Sequence, residues 1–129
     1  MGLDYVTAIR RSSNIPVTLR VEDNLLEQLT LDINECRNSG KSIAIVTKND
    51  SECDMIFKLL KNTDISKIDN QTKKFNRKFV VVPVYMAKGL EFDSVIIYTD
   101  KMNKFTESEK YLYYVATTRA QHKLIVYNQ

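Results

Sequence analysis

Four short apolar runs constrain the fold of this chain more than anything else in it: Ser42 to Thr47, Phe79 to Val82, Ser94 to Tyr98 and Leu124 to Tyr127. They are nearly continuous and rich in Val and Ile instead of alternating with polar residues, which is the pattern of strands buried on both faces. Strands of that kind belong in a parallel sheet covered by helices, and the segments between the runs supply the helices. After a β-rich stretch from Val17 to Val21, Glu22-Asp23 opens a segment in which Leu25, Leu26, Leu29, Ile33 and Cys36 recur at helical spacing, and Gly40 suits its stop. Asn49, Asp50 and Ser51 are capping residues for a second helix, whose apolar face is Met55, Ile56, Leu59 and Leu60. Residues 62–78 are polar, with Ile65, Ile68 and Phe75 as isolated anchors. Pro83 to Leu90 reads as a turn or short helix, Lys101 to Glu107 as a loop, and Ser108 to Thr118 as a third helix. The alternation predicts an α/β layered domain with a mainly parallel sheet. The chain of 129 residues suits one domain, placed at 17–129 behind a polar lead-in over residues 1–16. Its end, two residues past the last run, suggests the edge of a domain within a larger protein.

Several classes are disfavoured. No apolar run approaches the roughly 18–20 residues of a membrane span. The N-terminus lacks a basic-then-apolar signal pattern. Val6 stands where a myristoylation signal would carry Ser or Thr. Cys36 and Cys53 are isolated and His122 is the only histidine, so neither a disulfide framework nor a zinc site is expected. Both cysteines fall in expected helices and read as reduced and structural. These features lead us to expect a soluble, cytoplasmic protein with no membrane partner. The net charge of +3 permits contact with nucleic acid without demanding it.

Gly40-Lys41-Ser42 spells the end of a Walker A phosphate loop, but Glu35 occupies the position that would need the first glycine. The context is also reversed, since a phosphate loop leads from a strand into a helix N-terminus and this segment leads from a helix into a strand. It reads as a helix stop. The apolar run with paired acids of a Walker B strand is missing too, so the chain alone is expected not to hydrolyse ATP.

Two other blocks carry chemistry. In Ala87-Lys88-Gly89-Leu90-Glu91-Phe92, Gly89 frees the backbone to turn beneath a ligand and Glu91 offers a carboxylate to hydroxyl donors. The block reads as lying just past a strand's carboxyl end, where open α/β sheets bind ligands. A plain surface turn is the alternative. In Tyr114-Val115-Ala116-Thr117-Thr118-Arg119-Ala120, a helix burying Leu112, Val115 and Ala116 delivers Arg119 at its end. Its planar fork matches phosphate oxygens and cannot be neutralised. The alternative is a helix-terminal arginine favoured by the dipole.

In this order, and each followed by a strand, the two blocks resemble motifs V and VI of UvrD/Rep-like superfamily 1 helicases. Ile43 to Leu60 is similar to motif IVa. The resemblance covers roughly residues 17–127 and implies the second RecA-like (2A) domain of such a motor. ATP and Mg²⁺ would then lie in a cleft shared with a partner RecA-like lobe that carries the phosphate loop and holds most of the nucleotide. By this resemblance Arg119 contacts the γ-phosphate, the Gly89 backbone lies near the phosphates, and Glu91 meets the ribose or its waters. Lys88 and Thr118 would lend local support. Motif IV, with its own arginine, should precede residue 1, and Arg10, Arg11 and Arg20 are poor substitutes for it.

The chain departs from the family at two positions. Tyr85 stands where typical members carry a histidine near the bound single strand, and Pro83 replaces a usual threonine. Pro83 to Asp93 looks closer to the helicase IV/HelD-like branch, some of whose members act on RNA polymerase. Tyr85 and Lys88 are the candidate contacts to single-stranded DNA, Tyr85 by base stacking, with packing against the sheet as its alternative role. Lys67, Lys73, Lys74, Arg77 and Lys78 could track a phosphate backbone or form a solvated run. The seven tyrosines read mostly as core and edge packing. A non-catalytic interaction module is the third reading, disfavoured by the presence of both Glu91 and Arg119.

Overall fold

A computed structural model describes residues 15–69 and 78–128. Six strands form one sheet: β1 (Val17–Arg20), β2 (Ile43–Thr47), β3 (Ser66–Lys67), β4 (Phe79–Pro83), β5 (Phe92–Tyr98) and β6 (Ala120–Tyr127). Their order is β1-β6-β5-β2-β4-β3, and every neighbouring pair is parallel. Among the described residues three helices cover it: α1 (Leu25–Ser39), α2 (Asp50–Leu59) and α3 (Lys110–Thr117). The expected α/β class with a parallel sheet is therefore what the chain forms.

The strands are continuously apolar because both faces are buried. On one face Ile43, Ile45, Phe79, Val81, Ile96 and Ile125 pack against Leu29, Ile33 and Cys36 of α1 and Cys53, Ile56 and Leu60 of α2. On the other, Ala44, Val46, Val80, Val82, Val95, Ile97, Leu124 and Val126 pack against Tyr113, Val115 and Ala116 of α3 and against Val84 and Ala87. Ile45, Ile96 and Ile125 are fully buried, each contributing about 1.5–3 kcal/mol relative to exposure. Cys36 and Cys53 are buried free thiols, and burial pushes the Cys53 thiol up to about 12.

Local details differ from expectation in instructive ways. Strand β3 lies in the stretch read as polar, because Ile65 and Ile68 bury themselves while Ser66 and Lys67 pair with Val80 and Val81. Strands β5 and β6 begin earlier than expected, since Phe92 already pairs with Ala120 and Ser94 with Lys123. Leu26 and Met55 are exposed, and Asp32 and Cys53 are buried on those helices instead. Glu22 does not open α1. Its carboxylate accepts from the Tyr98 hydroxyl (2.6 Å) and Asn128 Nδ2 (3.2 Å). Asn49 does cap α2, accepting from the Glu52 N–H at 2.9 Å.

Gly40 follows α1, but its backbone is extended, with φ −172°. The reason for glycine here is space: a Cβ would lie 2.7 Å from the Asp93 Cβ. Asp93 Oδ2 accepts from the N–H groups of Lys41 (2.7 Å) and Ser42 (3.1 Å), and its own N–H donates to Ser42 Oγ (2.8 Å). The Gly40-Lys41-Ser42 turn thus holds a carboxylate of its own chain. The Lys41 N–H, opposed by burial and aided by Ser42 and His122, holds Asp93 below the usual carboxylate range. A depressed carboxylate stabilises the fold above its unfolded range, and that contribution fades as pH falls through the folded value. Asp93→Asn should therefore lower stability by about 1 kcal/mol at pH 7, with the gap closing below about pH 4. Urea unfolding at several pH values checks this; a gap constant down to pH 3 would refute it.

Candidate functional site

All strands run the same way, so the sheet has a carboxyl edge at Thr47, Pro83 and Tyr98 and an amino edge at Ile43, Phe79, Phe92 and Ala120. The connection from β4 to β5 leaves at the carboxyl edge and must return to the amino edge before it can pair in parallel. It does so through a single 3₁₀ turn, Val84–Met86, and a further bond from the Leu90 N–H to the Ala87 carbonyl (3.0 Å). Ala87 is fully buried beneath it. Lys88, Gly89 and Glu91 therefore sit before β5, at the amino edge, and not past a strand's carboxyl end as expected. The compactness of this crossover brings that difference about.

Gly89 has φ +84°, a left-handed conformation that favours glycine, and a Cβ there would meet nothing within 4 Å. The turn is open on that side. Arg119 follows α3 and reaches the same edge, because the Phe92 N–H donates to the Arg119 carbonyl at 3.0 Å and Phe92 faces Ala120 in the ladder. Tyr113 and Ala116 share a core with Val84, Ala87 and Phe92, which holds the two blocks together. The sheet thus gathers Gly89, Glu91 and Arg119 on one edge. Lys88 beside them is exposed.

Arg119 is half-buried. Its Nε donates to the Val115 carbonyl (3.2 Å) and its Nη2 to Thr118 Oγ1 (3.1 Å), while Thr118 Oγ1 donates to the Val115 carbonyl (2.9 Å). The helix end thereby fixes the stem of the fork, with Thr118 Oγ1 as one of its acceptors. Among the described residues no carboxylate pairs with Arg119, so its charge and outer N–H groups remain for an anion. Glu91 is exposed, and its Oε2 accepts from Gln121 Nε2 at 2.7 Å.

Tyr85 lies apart, just past β4 at the carboxyl edge. It is not packed into the sheet: it is 48% exposed, and its hydroxyl donates to Asp50 at 2.8 Å, at the start of α2. That bond raises the phenol above its ordinary value. Of the described tyrosines, Tyr98, Tyr113 and Tyr127 are buried, whereas Tyr111 and Tyr114 are exposed on α3. Lys67 pairs with Asp54 (2.9 Å) and lies over the Phe57 ring, and Lys78 is exposed. Lys73, Lys74 and Arg77 lie outside the described residues, as do Arg10 and Arg11. Arg20 pairs with Asp32 at 3.0 Å, a structural role.

Sequence reasoning missed Gln121, Asp93 and Asp50. Asp93 and Gln121 stand within three residues of the motif-like blocks, but their partners are set by strand register, which no local pattern reveals. Among the described residues no group of three or more His, Cys, Asp or Glu could hold a metal ion, and no helix is long and apolar enough to cross a membrane.

The family model described as the UvrD-like helicase C-terminal domain matches residues 6–129. No curated protein matches the chain. Among solved structures, the crystal structure of the C-terminal domain of a possible DNA helicase from Lactobacillus plantarum WCFS1 is similar, with a TM-score of 0.76 and 29% identity over 96% of this chain and 81% of that one. With a parallel sheet of matching shape and a family match spanning nearly its whole length, this chain belongs to the UvrD-like helicase C-terminal domains.

Proposed function

We propose that this domain is one wall of the ATP cleft in a DNA helicase or translocase, closing on nucleotide held mainly by a partner RecA-like lobe of the same protein. The observation that carries the reading is Arg119: its stem is fixed by the end of α3, it has no carboxylate partner among the described residues, and it shares an edge with Gly89 and Glu91. The residues present fit a nucleotide. An uncompensated guanidinium suits phosphate, an open left-handed glycine turn admits phosphate oxygens, and an exposed carboxylate suits ribose hydroxyls. ATP, when bound with Mg²⁺ on the partner lobe, supplies the phosphoryl group that water accepts. Arg119 then faces the negative charge that builds on the γ-phosphate, while Gly89 and Glu91 orient the rest of the molecule. The domain alone, without a phosphate loop, is inactive. In this reading the protein works in the cytoplasm, with residues 17–129 as the 2A unit. Single-stranded DNA crosses the carboxyl edge near Tyr85, whereas Lys88, at the amino edge, lies apart from that path and adds positive charge beside the nucleotide.

A second reading, an RNA-polymerase-associated ATPase of the HelD-like branch, is favoured by Tyr85, whose hydroxyl is held by Asp50 where a histidine would approach the strand. One experiment separates the two. ATP turnover by the full-length protein is measured alone, with single-stranded DNA, and with RNA polymerase. We expect stimulation by DNA of at least tenfold, the order of a 1.4 kcal/mol change in barrier. Stimulation by polymerase alone would move the reading to the second, and no turnover under any condition would leave a non-catalytic interaction module.

A further inference from the structure

The β5–β6 ladder slips beside the candidate site. Phe92 faces Ala120, but Ser94 faces Lys123, so two steps along β5 match three along β6. The extra residue lies at Gln121-His122. Such a bulge re-aims side chains that a regular ladder would point elsewhere. Here its products are two contacts. Gln121 Nε2 donates to Glu91 Oε2 at 2.7 Å, and His122 Nε2 lies 3.6 Å from Asp93 Oδ1.

The first contact matters because Glu91 is exposed and has no other hydrogen bond or ion pair among the described residues. Without Gln121 its side chain would rotate freely in solvent. The chemistry of the partner is also informative. A lysine or arginine at 121 would hold Glu91 more strongly but would neutralise it. An amide donates one N–H, leaves the carboxylate charged, and keeps Glu91 Oε1 as an acceptor. The Gln121 carbonyl oxygen adds a second acceptor beside it.

Resting on the ATP-cleft reading above, we infer that Gln121, turned by the β-bulge, is a positioning residue that fixes Glu91 to accept from the ribose hydroxyls of the nucleotide. The domain thereby contributes to discrimination between ribo- and deoxyribonucleoside triphosphates.

The test measures kcat and KM of the full-length protein for ATP and for 2′-deoxyATP. Gln121→Ala should raise KM for ATP about three- to tenfold, the range lost with one net hydrogen bond. The change in kcat should be smaller, and KM for 2′-deoxyATP should move least, so the KM ratio of the two nucleotides falls. Gln121→Glu, which sets two carboxylates against each other, should be worse. The exchange Glu91→Gln with Gln121→Glu restores a donor and an acceptor and should recover part of the loss. Thermal melting of each variant confirms folding, since position 121 is exposed. If the parent prefers ATP and Gln121→Ala leaves the KM ratio within twofold, the role of Gln121 is overturned while the cleft reading stands. If the parent binds both nucleotides equally, the ribose contact falls. If it turns over no nucleotide, the cleft reading falls and takes this inference with it.

Discussion

Replacing Arg119 with alanine is expected to lower ATP turnover by the full-length protein about 10³-fold or more, while the affinity for ATP changes less than tenfold. The asymmetry follows from where the charge is needed. A guanidinium reaching the γ-phosphate from a facing lobe acts mainly on charge that develops as the bond breaks, and such an arginine is worth about 10³–10⁵ in rate. The ground-state nucleotide, held elsewhere, loses only one contact. Arg119→Lys should rescue little, because the three donors of an ammonium radiate from one atom and lack the planar spacing by which the fork bonds to Val115 and Thr118 and keeps further N–H groups for a phosphate oxygen. Single-turnover kinetics and nucleotide binding, measured side by side, separate the two effects. Turnover within tenfold of the parent would show that Arg119 is only the helix-end cation that its bonds to α3 also allow. Melting temperatures should barely move, since Arg119 makes no ion pair with a carboxylate among the described residues.

The largest effect on stability is expected at Asp32, far from that site. Asp32 lies on the buried face of α1 at 2% exposure. It accepts from the Tyr127 hydroxyl and from Arg20 Nη2 at 3.0 Å, joining α1 to the ends of β6 and β1. Burial, and then the bond to Asp32, push the Tyr127 phenol well above its ordinary value. Asp32→Ala strands a phenolic O–H that cannot reach water, and leaves Arg20, over a third exposed, to recover hydration only in part. The stranded O–H and the loss of a pair that is partly screened by water together cost about 2–3 kcal/mol. For a domain of this size that is a fall of about 6–15 °C in Tm. Asp32→Asn, which keeps an acceptor for Tyr127, should lose roughly half as much. Calorimetry or urea unfolding decides, and a loss below 1 kcal/mol for the alanine variant would show that Tyr127 and Arg20 repack.

These two residues differ in how visible they were beforehand. Arg119 stands in a run that resembles motif VI, and it was that resemblance, not the residue types alone, that set it with Gly89 and Glu91. Asp32 gives no such signal. An acid on an amphipathic helix is ordinarily solvated, and only the arrival of Tyr127 and Arg20 from strands distant in the chain makes it a core residue. Leu26 and Met55 show the converse, since helical spacing alone placed them inward and the packed helices bury Asp32 and Cys53 instead.

The sequence by itself determined the class of fold, because runs such as Ile43–Thr47 and Phe79–Val82 are apolar on both faces and only a covered parallel sheet accepts them. It also singled out Gly89, Glu91 and Arg119 as the candidates for chemistry, because a free glycine, a carboxylate and an arginine are types that packing alone seldom requires. Only the tertiary structure decided where they stand. The short return from β4 to β5 moves Gly89 and Glu91 to the amino edge and leaves Tyr85 on the other, where Asp50 holds it. The turn at Gly40 belongs to Asp93, and one extra residue in β6 points Gln121 at Glu91. Each of these depends on strand register and chain crossing, which are set by the sum of packing over both faces of the sheet and leave no mark on any short stretch of sequence.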